Sequence, residues 1–262
     1  MAHDIDALVG AAVELADLAR QTILGADRFG LAHEIKADGS PVTAFDQAVE
    51  RALRGRIDER FPDHGILGEE FGTVGLDREY LWVLDPIDGT KQFAAGLADF
   101  GSLVALCRNG DPIIGIIDLP HLDRRCLGVA GRPTTLNGEP VACRHGLQVN
   151  QCVMSSAGPD AYKSDAATAG FERLRGATAW NVYGGGCAGY ASLVSGLVDI
   201  CLDGNLDAFD FCALVPVVEG AGGVITDWQG GRPGLASGPL IIASGDRRVH
   251  DQALRLLGGR ES

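Results

Sequence analysis

"WVLDPIDGT", residues 82–90, sets two carboxylates three residues apart around a proline and closes on Gly-Thr. Leu81, Val83 and Leu84 read as a strand entering a core, and Asp85 and Asp88 arrive where that strand should end. Proline with Asp and Gly beside it is ordinary β-turn chemistry, so a turn accounts for the stretch locally. A metal site accounts for it equally, since a tight turn can aim both carboxylates to one side with the Ile87 carbonyl between them.

Composition narrows the field. The chain has 262 residues, 46% hydrophobic and 22% charged, enough for one large domain or two packed halves. A net charge of −13 argues against binding a nucleic-acid backbone. A small phosphorylated substrate is compatible with that charge if metal ions bring positive charge locally. "PIIGIIDLP" is among the longest apolar runs and is too short to span a bilayer. The acids in "MAHDIDALVG" do not suit the basic start of a signal peptide. The seven cysteines form no CxxC pair and read as buried free thiols in a reducing cytoplasm. The six histidines show no HxxxH or HExxH spacing, so a metal here must be held by carboxylates.

Periodicity predicts helices over 4–24 and about 43–59, the second with Phe45, Val49, Leu53 and Ile57 four apart on one face. From Ile66 to Ala130 the pattern is of strands, a sheet meander interrupted at 86–99. The second half alternates: strands at 152–157, 178–183, 198–203, 222–227 and 240–244, with helices at 187–197, at 210–221 despite Pro216, and at 246–257. This predicts an α+β half over 1–145, carrying "GEE" and "DPIDGT", packed on an α/β half over 146–262.

Four acidic stretches punctuate apolar elements: Asp46, Glu69–Glu70, Asp85 with Asp88, and Asp210. Singly each has a structural explanation. Asp46 follows Thr43 by three, as in a capping box; Asp210 could be an N-cap; Glu69–Glu70 could be a solvated loop. Together they suit a hard divalent cation, which takes oxygen ligands from few protein groups and completes its shell with water and phosphate. Gly89–Thr90 adds backbone N–H groups and a hydroxyl, and opens a short helix where a phosphate would be favoured.

With "IKADGSPVTAFD" (35–46), "GEE" (68–70), "WVLDPIDGT" and "DFCALVPVVEGAGG" (210–223) in this order, the whole chain resembles the inositol monophosphatase superfamily of metal-dependent phosphomonoesterases. The resemblance implies a layered αβαβα fold, usually a homodimer, with two or three Mg2+ ions per site. It implies that Glu69, Asp85 and the Ile87 carbonyl hold the first ion, and Asp85, Asp88 and Asp210 the second. Glu69 would also steer a third, weakly held ion. Gly89 and Thr90 would seat the phosphate, and Asp46 would accept a hydrogen bond from Thr90 and help polarise the attacking water.

Within the superfamily, "FPDHGILGEEFG", "DPIDGTKQF", "GIIDLP", "GVAGRPTTLNG" and "FDFCALVPVVEGAGGVITDW" are similar to the histidinol-phosphate phosphatases. Asp203 occupies the place of a substrate-contacting acid, and the loop Gly184, Gly185, Gly186 would border the substrate. The chain departs from that pattern at Gly186, where an Asp is usual, at Leu97, where a basic residue is common, and at Leu119, which replaces a Gln. An inositol-1-monophosphatase, or a related sugar or nucleotide phosphatase, is the alternative. "GGGCAG" (184–189) also satisfies G-x-G-x-x-G, with Asp203 downstream, the fingerprint of an NAD-dependent oxidoreductase. Only 59 residues follow Asp203, too few for the rest of a doubly wound cofactor domain, and that reading leaves the upstream acids unexplained.

Overall fold

The computed structural model describes residues 4–25, 33–35 and 41–259. Of the stretch 35–46, residues 36–40 lie outside the described residues. Helices α1 (Ile5–Leu24) and α2 (Ala44–Arg60) flank a small hairpin of β1 (His33–Ile35) and β2 (Pro41–Thr43). The first large sheet is built from β3 (Gly65–Gly68), β4 (Gly72–Val74), β5 (Tyr80–Asp88), β6 (Gly101–Arg108), β7 (Asp111–Leu119), β8 (Arg124–Val129), β9 (Thr135–Leu136) and β10 (Glu139–Pro140), in the order β10-β9-β8-β7-β6-β5-β3-β4. Helix α3 (Thr90–Ala94) interrupts it. The expected meander is present from β5 to β8, but β3 lies parallel to β5, because β4 turns back along the outer edge of β3 before the chain enters β5.

The second sheet runs β12-β11-β13-β15-β14, from β11 (Val153–Ser156), β12 (Trp180–Tyr183), β13 (Ile200–Asp203), β14 (Val224–Asp227) and β15 (Ile241–Ser244). Its helices are α4 (Asp165–Ala177), α5 (Gly186–Val194), α6 (Ala208–Phe211), α7 (Leu214–Gly220) and α8 (Arg247–Leu257). The sequence reading passed over α4. Its buried face, Ala167, Gly170, Phe171 and Leu174, has helical spacing but is built partly of small residues.

Strand alternation sorts the side chains into three cores, and the cores define the layers. Trp82, Leu84, Val104, Ile114 and Ile116 point from the first sheet into α1 and α2. Leu81, Val83, Leu103, Ile117 and Cys126 point the other way, into a middle layer of α5 and α7 that also meets Val153, Cys201 and Ile241 of the second sheet. Met154, Ile200, Leu202 and Ile242 turn to α4 and α8 on the far side. Helix, sheet, helix, sheet, helix: the architecture is the αβαβα sandwich that the resemblance implies. Each fully buried Leu, Ile or Phe contributes about 1.5–3 kcal/mol to it.

Two local departures from the sequence reading bear on the site. The helix expected over 210–221 is two helices, parted at Cys212–Ala213. Pro216 has no N–H for the Cys212 carbonyl and its ring crowds that carbonyl, so α6 stops and α7 starts afresh with Pro216 in its first turn. Helix α7 then lies hard against the first sheet. Gly115 and Gly128 face each other across β7 and β8. A Cβ on Gly115 would stand 2.0 Å from the Ala213 carbonyl oxygen, and one on Gly128 2.4 Å from the Pro216 carbonyl carbon.

Candidate active site

In a regular strand, residues three apart face opposite ways. Asp85 and Asp88 nevertheless converge, and the cause is a β-bulge. Asp85 pairs with Leu103 and Asp88 with Gly101, so β5 spends one residue more than β6 between those two rungs. The extra residue returns Asp88 to the face of Asp85, at Pro86–Ile87, where proline has no ladder N–H to lose. The stretch is thus a bulged strand end rather than the β-turn of the local reading. Gly89 follows at φ +86°, a left-handed conformation that favours glycine, and turns the chain into α3.

Asp210 arrives from α6. It is not the N-cap of that helix; Asp207 is, and Asp210 is the reciprocal acid of its capping box, with Oδ2 accepting the Asp207 N–H at 2.7 Å. One oxygen each of Asp85, Asp88 and Asp210 lie within 4.8 Å of one another. Glu69, in the turn after β3, is anchored by its N–H to the Leu84 carbonyl at 3.3 Å, and its carboxyl adjoins Asp85. Burial, then repulsion from Glu69, Asp88 and Asp210, holds the Asp85 carboxyl well above the ordinary range. Burial also raises Asp88, against the Cys187 N–H that donates to its Oδ2 at 2.6 Å. Asp210 is raised by burial, opposed by the Asp207 N–H.

Asp46 keeps its capping role and gains another. Its Oδ2 accepts from the Thr43 N–H at 2.8 Å and the Thr43 hydroxyl at 2.5 Å, while Oδ1 accepts from the Thr90 hydroxyl at 3.2 Å. Burial raises its pKa.

A family profile described as "Inositol monophosphatase family" matches residues 4–259. The chain belongs to the inositol monophosphatase family. It is 42% identical to "Bifunctional phosphatase IMPL2, chloroplastic" of Arabidopsis thaliana, a match covering 85% of this chain and 66% of that protein. It is 33% identical to a histidinol-phosphatase of Streptomyces coelicolor, over 94% of this chain and 95% of the other. The solved structure of an inositol monophosphatase from Zymomonas mobilis superposes with a TM-score of 0.87 and 35% identity, covering 98% of this chain and 100% of that one. Inositol monophosphatase family members are metal-dependent phosphatases of small phosphorylated substrates, and this chain is a phosphoric monoester hydrolase.

The acids fit a family metal site. Asp85 is 1% exposed, yet its Oδ1 has no hydrogen-bond partner among the described residues. A buried carboxylate oxygen without a hydrogen-bond donor, set among groups of its own sign, is a donor atom that suits a hard cation.

The remaining expected residues cluster at the carboxyl ends of parallel strands β11, β12 and β13, the usual ligand-facing edge of such strands. Gly184, at φ +84°, offers its carbonyl to Gln92 Nε2 at 2.8 Å, which ties the loop to α3; the sequence reading did not single out Gln92. Gly186, at φ +39°, abuts Asp88: a Cβ there would lie 2.9 Å from Asp88 Oδ2. The missing acid at this position therefore goes with a backbone that leaves an added side chain no relaxed place. Cβ atoms on Gly185 and Gly189 would come within 2.5 and 2.6 Å of Ser155 Oγ, so the GGGCAG turn packs on β11, and family membership removes the dinucleotide reading. Asp203 ends β13, is 4% exposed and accepts the Ala157 N–H at 2.6 Å; burial lifts its pKa to about 6. Leu97 is exposed, whereas Leu119 is buried against Gly101. Among the described residues no helix is long and apolar enough to cross a membrane.

Proposed function

We propose that the protein is a Mg2+-dependent histidinol-phosphate phosphatase of histidine biosynthesis, a cytoplasmic homodimer. The observation that carries the catalytic part is the convergence of Asp85, Asp88 and Asp210 beside a Thr90 hydroxyl already joined to Asp46. Glu69, Asp85 and the Ile87 carbonyl would hold one ion; Asp85, Asp88 and Asp210 would hold a second; Glu69 would also steer a third, weaker one. Bound there, these ions supply the positive charge that phosphate oxygens need and acidify water.

The chain's own groups do the rest. Gly89 and Thr90 begin α3, where backbone N–H groups have no intrahelical partner and can receive phosphate oxygens. The Thr90 hydroxyl carries one proton and has two acceptors, Asp46 Oδ1 at 3.2 Å and the Ile87 carbonyl at 3.1 Å. When the Thr90 hydroxyl donates to Asp46 Oδ1, its lone pairs remain free to accept from and orient a water. Asp203 and the Gly184–Gly185–Gly186 loop border the alcohol.

The substrate rests on the motif resemblance and on the histidinol-phosphatase match along nearly the full chain. The specific features favouring a second reading, inositol monophosphate, are the Zymomonas mobilis match and the absence of an acid at Gly186. Phosphate release from histidinol phosphate, inositol monophosphates, sugar phosphates and 3′-phosphoadenosine phosphate separates the two. The first reading expects histidinol phosphate to have the highest kcat/KM; inositol 1-phosphate in first place selects the second. The dimer is supported by edge strand β12, where Trp180, Val182 and Tyr183 are 57%, 37% and 49% exposed; sedimentation as a monomer refutes it. Seven free, buried thiols suit a reducing compartment.

A further inference from the structure

Four residues beyond Asp46, on the same face of α2, lies a second carboxylate that the catalytic reading does not use. Glu50 has no solvent exposure. Its Oε2 accepts the Glu70 N–H at 2.7 Å; its Oε1 accepts the Phe71 N–H at 3.2 Å and Arg54 Nε at 2.7 Å. Arg54 reaches on to the Gly72 carbonyl through Nη2. Behind this contact Gly68 has no side chain because none fits: a Cβ would stand 2.1 Å from Glu50 Oε1 and 2.9 Å from Arg54 Nη2. The turn 68–72 is gripped by α2 on one side, and Glu69, within it, is bound through its N–H to Leu84 on the other.

We propose that Glu50 is a positioning residue that sets the Glu69 carboxylate against Asp85 and thereby fixes the affinity of the metal site. A carboxylate that accepts two successive backbone N–H groups specifies the turn's path. Its placement one helical turn from Asp46 couples the two halves of the chemistry through one rigid element, with Asp46 holding Thr90 and Glu50 holding the turn that carries Glu69. In Gln the second oxygen becomes an NH2 that cannot accept, so one of the two turn N–H groups loses its partner.

The inference rests on Glu69 being a metal ligand, and the experiment separates the two. Mg2+ binding to substrate-free protein is titrated calorimetrically for wild type, Glu50→Gln, Glu69→Gln and the double variant, with metal-free melting curves alongside. Partners that orient metal ligands are worth about 10–100-fold in metal affinity, so Glu50→Gln should bind Mg2+ at least about tenfold more weakly while still melting cooperatively. The double variant should be no weaker than Glu69→Gln, because Glu50 acts through Glu69. Wild-type affinity in Glu50→Gln with weakened Glu69→Gln overturns the proposal, as does a double variant that loses the product of both effects. Wild-type affinity in Glu69→Gln removes the ligand assignment and this proposal with it. Should Glu50→Gln fail to fold, Gly68→Ala presses on the same contact from the opposite side. It should weaken Mg2+ equally, and unchanged affinity there also overturns the proposal.

Discussion

Two carboxylates buried in the same sheet have opposite surroundings. Asp118 on β7 is fully buried, and Arg20 Nε and Nη2 and Arg125 Nε donate to it at 3.0, 2.9 and 2.6 Å. Each arginine spends a further N–H outside, Arg20 on Asp123 and Arg125 on Asp17. The knot fastens α1 to the sheet. Asp85 on β5 is as deeply buried, but the charges beside it are Glu69, Asp88 and Asp210, and its Oδ1 is unpartnered among the described residues. A charge removed from water must be compensated. At Asp118 the chain brings its own cations and obtains a joint; at Asp85 it leaves that place to something from outside and obtains a reactive centre.

The comparison breaks most plainly if metal is withdrawn. Phosphate release should fall to background in excess chelator, while the melting curve keeps its cooperative shape because the Asp118 knot needs no metal. Activity that survives chelation would mean Asp85 is as self-sufficient as Asp118. Next in size is Asp118→Asn, which leaves two guanidiniums against a neutral amide and should cost about 3 kcal/mol in denaturant unfolding. Turnover per folded molecule should hardly change, and a large kinetic defect would remove the distinction between joint and site.

Asp88→Asn should do the reverse. Turnover should drop by about 10²–10³-fold, the range for losing one preorganised charge-stabilising group. The metal-free protein should melt no lower than wild type, since one member of a repelling set has been neutralised. In wild type, Mg2+ at a hundred times its dissociation constant should add about 2.7 kcal/mol, a gain the Asp88 variant should largely lose and the Asp118 variant keep.

The smallest expected effect sharpens the comparison with a group that avoids charge altogether. Buried His250 lies 2.9 Å from the Thr226 hydroxyl through Nε2 and 3.2 Å from the Ser244 hydroxyl through Nδ1, and burial pushes its pKa down to about 4. Thr226 gives its own proton to the Asp227 carbonyl at 2.6 Å, so Nε2 is the protonated nitrogen and the neutral ring satisfies both hydroxyls. The unfolded chain takes up its proton near pH 6.5 and the fold only near 4, so the neutral ring's contribution is complete above pH 6.5 and is lost as pH falls between those values. Wild type should therefore lose about 2 kcal/mol more than His250→Gln between pH 7 and 5. Parallel stability curves for the two proteins would show that the ring takes up its proton in the fold as readily as in the unfolded chain.

Much of this was legible in the chain. The three cores follow strand alternation, and Thr43 and Asp46 announce the start of α2 three residues apart. What was not legible depends on tertiary contacts. No pattern in "DPIDGT" separates a turn from a bulge, because the extra residue exists only relative to β6. The parallel run of β3 beside β5 is likewise a matter of pairing, and Pro216 warned of a broken helix without saying where the break would fall. Asp210 was found, but its cap partner Asp207 was not. Glu50 stands four residues before Arg54, a spacing common to exposed helix ion pairs, so nothing in that interval marks it as buried. Its spacing from Asp46 was the available signal, since that interval places both acids on one helix face.

The glycine pair beneath α7 carries a lesson about variation. A change at Gly115 or Gly128 touches neither phosphate nor metal, yet any side chain there would lift α7 from β7 and β8 at Ala213 and Pro216. Asp210 lies just upstream on the same run of chain and would move with it. A mutational scan read by activity alone would score both glycines as catalytic, and a search for new substrates on this scaffold should leave them fixed while it randomises the loops after β11, β12 and β13.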